Sequence, residues 1–377
     1  MKKLLFLLFV SALLFSACST GKKAMEKGDY FSAVSKAIQR LKSNSNSKNA
    51  IAVVKDSYPM AIQWAQEEID ILLSGNEEFK WDKTFALMEK VNNIAGEIRL
   101  SPVGHSIIPN PKVYSSEMDM ARNKAAEERY NVGNRQLAEN TVEAAKMAYR
   151  NFQRTNELAP GFKDVSEKIV LAKDLATIKV ILEAIPVNTV KFQLSSEFFY
   201  SQIFEYLNNK FPANSFVNFY SPSQAEKFGI SYPDFVVKLQ FYDFEVGKTE
   251  HFEKEETLAN RVEVESRDTT KTTYKIYNAK LKTYTDKVSS RGLLDARIVD
   301  FESDKLMLDD KIPGEFVWIN DYAIFVGDKE ALTKNQLELT NRKAEPLPPA
   351  QDLFVEFTKP MYDQLTDRLR RFFGKYD

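Results

Sequence analysis

Leu175-Ala176-Thr177-Ile178-Lys179-Val180-Ile181-Leu182-Glu183-Ala184-Ile185-Pro186 is where this 377-residue chain changes character. Up to Ala176 apolar residues recur every three or four positions, the spacing of one face of an α-helix. From Ile178 the apolar residues Ile178, Val180, Leu182 and Ala184 fall on alternate positions, as on a strand with one buried face. The chain therefore divides into a helical part, residues 24–176, and a mixed part, residues 177–345. The expected fold class is α-helical hairpin repeats followed by an α+β domain with a mostly antiparallel sheet.

Downstream of the boundary, Ser195 to Phe211 reads as an amphipathic helix, with Ser195 or Ser196 as cap and Phe199, Ile203, Tyr206 and Leu207 on one side. A strand at Phe216 to Tyr220 and a small helix at Gln224 to Phe228 follow. From Asp234 the chain meanders through separate alternating strands: Phe235, Val237, Leu239 and Phe241; then Tyr277, Ala279 and Leu281; then Leu294, Ala296 and Ile298; then Phe316 and Trp318. Glu250 to Lys271 is dense in charge and reads as an exposed hairpin or excursion. Asp300 to Lys305 is a hairpin turn. Pro346, Pro348 and Pro349 make a stiff linker to a terminal helix at Lys359 to Phe373, so residues 346–377 are expected to stand apart.

Two phrases in this part carry a resemblance. They are Tyr232-Pro233-Asp234-Phe235-Val236-Val237 running on to Asp243-Phe244-Glu245, and Gly292-Leu293-Leu294-Asp295-Ala296-Arg297-Ile298-Val299-Asp300. In pattern and order this resembles the periplasmic domain of the curli-secretion lipoprotein and of lipoproteins that activate peptidoglycan synthases. The resemblance implies an α/β sandwich with helices on one face, a strand entering the sheet at the first phrase, and a hairpin closing on an aspartate at the second.

Upstream, Gly28-Asp29-Tyr30-Phe31-Ser32-Ala33 and Ala148, Phe152, Thr155 and Pro160 resemble the turn and second helix of a tetratricopeptide repeat. Ile51 to Leu73 and Thr84 to Leu100 read as a helix pair between them, with Pro59 expected to kink or divide the first. Glu127 to Asn140 is the first helix of the second unit, and Ser101 to Ser116, containing His105, is a loop. The resemblance implies a concave surface formed by the first helices. In the register set by Pro160, Tyr130, Leu137 and Asn140 fall at its groove-facing positions.

At the N-terminus Lys2 and Lys3 precede a low-polarity run, Leu4 to Ala17, and then Cys18, the chain's single cysteine. A basic start, an apolar core and small residues before a cleavage point make a signal peptide, residues 1–17. The run is too short to span a bilayer as a helix, which takes roughly 20 residues. Phe15-Ser16-Ala17-Cys18 resembles the lipobox of bacterial lipoproteins, which implies acylation of Cys18 by fatty acids such as palmitate. A tether, residues 18–23, then holds the helices near the lipid, with Lys22, Lys23 and Lys27 facing anionic headgroups. Ser19 in place of aspartate implies sorting to the outer membrane. With no acidic run after Cys18, the protein is expected to face the periplasm.

Charge is close to balanced, 52 basic residues against 53 acidic, which removes the electrostatic case for nucleic acid. One cysteine allows neither an internal disulfide nor a thiolate metal cage. His105 and His251 are too far apart in sequence to support an imidazole site or a nucleophile relay. Gly247-Lys248-Thr249 lacks the first glycine of a phosphate loop and reads as a turn between strands. Asp300, Asp304, Asp309 and Asp310 lack the glycine and closing glutamate of a calcium loop. Trp64, Trp81 and Trp318 read as packing residues.

No cofactor and no catalytic residue is expected. The chain reads as a non-enzymatic, lipid-anchored protein-binding adaptor or assembly factor of a cell-envelope machine for secretion, outer-membrane biogenesis or cell-wall synthesis. Its partners would be membrane lipid, through Cys18, and envelope protein. Two other readings stay open. One is an envelope glycan-binding protein or hydrolase using carboxylates such as Asp243 and Glu245. The other is an oligomeric component of a secretion pore.

Overall fold

The computed structural model describes residues 21–186, 190–264 and 273–377. The expected signal peptide, Cys18 and the first residues of the expected tether lie outside the described residues, as do residues 265–271 of the Glu250–Lys271 stretch. The chain divides into two compact units, one ending at Ala176 and the other running from Thr177 to Asp377.

The first unit is all helix: α1 (Lys22–Glu26), α2 (Tyr30–Ser43), α3 (Lys48–Ser74), α4 (Lys80–Arg99), α5 (Pro102–Ile107), α6 (Ser116–Ala138), α7 (Val142–Leu158) and α8 (Val165–Ala176). Regular structure thus begins at Lys22, inside the stretch expected to be tether. Asp29 starts α2 by accepting the Ser32 N–H at 3.2 Å, and Thr141 does the same for α7 from the Ala144 N–H at 3.2 Å. Neighbours in sequence pack as neighbours in space, α2 on α3, α6 on α7 and α7 on α8. The contacts are lined with small residues: Ala33, Ala37, Ala50, Ala121, Ala125 and Ala148 are wholly buried and let helix backbones approach closely. Gly133 has the same role, since a Cβ there would stand 2.8 Å from the Phe152 ring.

Two expectations for this unit are corrected. Pro59 does not divide α3, which runs unbroken from Lys48 to Ser74 because Val53, Val54, Ala61 and Ala65 are buried on both sides of it. The Ser101–Ser116 segment is not all loop. Pro102 at the first position and Ser101, accepting the Gly104 N–H at 3.1 Å, make α5, which carries His105.

The second unit holds β1 (Ile178–Leu182), α9 (Gln193–Lys210), β2 (Val217–Tyr220), α10 (Pro222–Phe228), β3 (Phe235–Val264), β4 (Thr273–Asp300), β5 (Leu306–Gly327), α11 (Lys334–Thr340) and α12 (Ala350–Phe373). Its sheet has the order β2-β1-β3-β4-β5. β1 pairs in parallel with β2 and β3, while β3–β4 and β4–β5 are antiparallel. The sheet is mostly antiparallel and the unit is of α+β class.

Strand lengths differ from expectation. The meander is three long strands rather than many short ones: Tyr277, Ala279 and Leu281 share β4 with Leu294, Ala296 and Ile298. The charged stretch, described to Val264, is one arm of the expected exposed hairpin, antiparallel to β4, and its charges pair across the ladder. Lys282 meets Glu253 at 2.5 Å, Lys287 meets Glu250 at 3.3 Å, and His251 Nδ1 meets Asp286 at 2.5 Å. Gly247-Lys248-Thr249 is not a turn between strands but a bulge within β3. Gly247, at φ 78°, sits where the register shifts between Glu245 and Lys248, and its N–H donates to the buried Ser290 Oγ at 3.1 Å.

The core of this unit is aromatic. Phe354 on α12 is wholly buried, with the Phe192, Phe241 and Phe357 rings at 5.2, 5.2 and 5.0 Å. The terminal helix therefore belongs to this core. It begins at Ala350, nine residues earlier than the expected Lys359, and passes through Pro360. Its buried stripe, Leu353, Phe357, Met361, Leu365 and Leu369, lies on the sheet. Ser195 and Ser196 are not caps of α9 but buried residues inside it, and Ser196 Oγ donates to the Ile185 carbonyl at 3.2 Å.

Candidate functional site

The helical unit carries an open groove of about 590 Å³ between the first turn of α2, the middle of α3 and the second half of α4. Its wall is built by α3. That helix buries Ala50, Val53, Val54, Ala61, Ala65 and Ile69 on its neighbours, yet presents a second apolar stripe, Met60, Trp64 and Ile71, to solvent. Trp64 is 42% exposed and Met60 43%. An exposed tryptophan next to an exposed methionine is unusual on a helix whose inner face is already satisfied. Phe31 on α2 holds the indole from one side, ring edge to ring face with centroids 6.0 Å apart.

The rim is polar and of mixed sign. Asp29 lies at one side, with the Ser32 side-chain and backbone hydrogen bonds holding its carboxyl below the usual aspartate range. Lys90 and Asn93 are exposed on the other side. An apolar floor with an aromatic anchor and charges of both signs at the edge suits an amphipathic peptide or protein segment. Sequence reading assigned Trp64 to packing. The signal that could have found it is the spacing of Met60, Trp64 and Ile71 on a helix that already has a complete buried face.

The residues expected to line a partner groove lie elsewhere. Tyr130 and Leu137 pack against the cluster of Ala148, Phe152, Val165 and Ala172. The Tyr130 ring meets Phe152 and Phe162 edge-on, and its hydroxyl donates to Asp164. Asn140 sits in the turn between α6 and α7 at φ 53°. Tyr130 and Leu137 thus serve the α6–α7–α8 contact, while Asn140 is exposed in the turn that follows α6.

Deep in the same unit, Asp82 on α4 is 7% exposed and held by two arginines. Arg129 Nε on α6 donates to Oδ2 at 2.8 Å, and Arg154 Nη2 on α7 donates to Oδ1 at 2.8 Å. Arg129 also donates to Asn151 at 2.9 Å, and Asn151 to Gln136 at 2.8 Å. Burial pushes the Asp82 carboxyl up, but the bonds from Arg154 and Arg129 outweigh it and leave it below the usual range. Every oxygen of the carboxylate is engaged by a guanidinium. The arrangement fits a structural clamp across three helices.

In the second unit, Asp243 and Glu245 line an open cleft of about 750 Å³ with Arg291, Pro313 and Glu315. Glu245 stands 3.6 Å from Arg291, and both side chains are at least half exposed. The four aspartates weighed as a cation site are dispersed. Asp300 accepts from the Ser303 N–H and hydroxyl, Asp309 pairs with Arg297, Asp310 pairs with Arg368, and Asp304 lies in the turn at φ 52°. Lys22, Lys23 and Lys27 are exposed on and just after α1. Among the described residues no helix is long and apolar enough to cross a membrane.

No family model matches the chain, and no curated protein does. Among solved structures it is similar to a neuraminyllactose-binding hemagglutinin homolog from Helicobacter pylori, at 10% identity and a TM-score of 0.24. The alignment covers 53% of this chain and 92% of that one.

Proposed function

We propose that this chain is a non-catalytic adaptor of a cell envelope, tethered by acylated Cys18 to the inner leaflet of an outer membrane and facing the periplasm. It holds a segment of a partner protein in the groove beside Trp64. The helices around that groove are read as degenerate tetratricopeptide-like hairpins, and the α+β unit as the part that docks to a larger machine. The observation that carries the reading is the exposed Met60–Trp64 stripe, whose indole meets Phe31 on one side and is open to solvent on the other.

Affinity purification from detergent-solubilised envelope is expected to recover a partner in fixed ratio with the chain. Trp64→Ala should weaken that capture by about 30-fold, the size of a central aromatic anchor. A protein that elutes alone from every preparation, or capture indifferent to Trp64→Ala, overturns the reading. Because the acyl chains contribute about 0.8 kcal/mol for each buried CH₂, Cys18→Ser should move the protein from the membrane to the soluble fraction. Palmitate labelling of the mature protein should be lost with it.

A further inference from the structure

β5 is the last strand of the sheet, and its outer edge has no strand beside it among the described residues. Such an edge is normally short, charged or covered. This one runs from Leu306 to Gly327, and Phe316-Val317-Trp318-Ile319-Asn320-Asp321-Tyr322-Ala323-Ile324-Phe325-Val326 carries one charge. Ile319 and Ile324 are each 55% exposed and Val326 78%. Pro313, tolerated on an edge strand and not inside a sheet, lies in it.

We propose that this edge pairs with the same edge of a second copy of the chain, antiparallel, about a two-fold axis at Phe316. In that register the exposed Leu306 and Met307 of one copy meet Val326 and Phe325 of the other. Lys311 faces Asp321 twice over. About 20 residues a side come into contact, the number of a standard stable interface. Neighbouring registers lack this match. A shift of one residue toward the N-terminus sets Glu315 against Glu315, and a shift of one toward the C-terminus sets Asp321 against Pro313.

Strand direction also selects the two-fold. β3 and β5 are both antiparallel to β4, hence parallel to each other. A rotational ring would join β5 to the next copy's β2, the other edge of the sheet, or to the part of β3 beyond Val237 that β1 does not pair with, in either case in the less stable parallel sense. The second of these would also set the apolar run of β5 beside Lys254-Glu255-Glu256 and its charged flanks. Two-fold pairing avoids both. At Pro313 the carbonyl now accepts from Gln364 Nε2 at 3.2 Å, and the second copy's Ile319 N–H takes over that acceptor.

The inference is independent of the acylation of Cys18 and of the Trp64 groove. The test uses the full chain with Cys18→Ser, so that introduced thiols stand alone. Light scattering over a range of concentrations is expected to give the mass of two chains. Asp321→Lys and Lys311→Asp should each weaken association at least tenfold, and the two together should restore it. An equal mixture of Glu315→Cys and Val317→Cys chains should form an intermolecular disulfide on oxidation, which decides the matter should either charge variant fail to fold. A single-chain mass at every concentration overturns the proposal. So does a ring of more than two copies, a dimer indifferent to the charge exchange, or β5 that inserts into lipid vesicles as a monomer.

Discussion

Replacing Asp82 with alanine is expected to lower the stability of the helical unit by about 3–5 kcal/mol. The side chain is small, so lost packing is not the reason. Its carboxylate is the shared acceptor of Arg129 and Arg154, and removing it leaves two guanidiniums facing each other in a poorly solvated site. Arg129 has little freedom to escape, since its guanidinium also lies over the Phe79 ring at 3.5 Å. Asp82→Asn keeps the shape and part of the hydrogen bonding, and should cost less.

Urea unfolding followed by tryptophan fluorescence reads this directly, in a chain with Trp318→Phe so that Trp64 and Trp81 report the helical unit alone. The same pair of variants gives a pH test. The Asp82 carboxyl is held below the unfolded value of about 3.9, so its contribution is complete above that value and is lost as pH falls through the folded value. Wild type should therefore lose more stability than Asp82→Asn between pH 7 and pH 3. Equal losses would show that the clamp contributes nothing through its charge.

Gly314→Ala is expected to destabilise the α+β unit by about 3 kcal/mol, the upper end for overpacking. A Cβ at Gly314 would lie 2.3 Å from the Phe357 carbonyl oxygen and 2.8 Å from Met361 Cγ. The obstacle is the backbone of α12, which cannot turn aside as a side chain can. Relief requires lifting the helix off the sheet, and Phe354, Phe357 and Met361 are wholly buried beneath it. Gly96→Ala is the control, because that glycine lies inside α4 with nothing within 4 Å of the added atom. There alanine should stabilise by about 0.5–1 kcal/mol. Thermal melts of the two variants should move in opposite directions, and a Gly314→Ala melt equal to wild type would sink the account of the α12 contact.

The change at Thr177 was legible because helix and strand impose different spacings on apolar residues, and Ile178, Val180 and Leu182 are buried as the alternation requires. Ala33 and Ala148, which are wholly buried between helices, are singled out in the sequence only by the resemblance of their phrases to a tetratricopeptide repeat. The length of β3 and β4 was not. Glu250, Glu253, Lys282 and Lys287 look like solvated surface until the opposite strand supplies each its partner, and register is a relation between distant segments. The groove at Trp64 was missed because an amphipathic pattern shows which residues are apolar, not which apolar residues the fold leaves uncovered.

The sequence alone determined the periods, where helix ends and where alternation begins, and that Cys18 is the one thiol. Each is a property of neighbours along the chain, and neighbours along the chain are near in any fold. Only the tertiary structure decided that α12 closes the aromatic core, that Asp82 is clamped by Arg129 and Arg154, and that β5 is left as an edge. Those outcomes depend on which distant segments meet, and chain entropy lets many such meetings compete until burial of particular surfaces selects one.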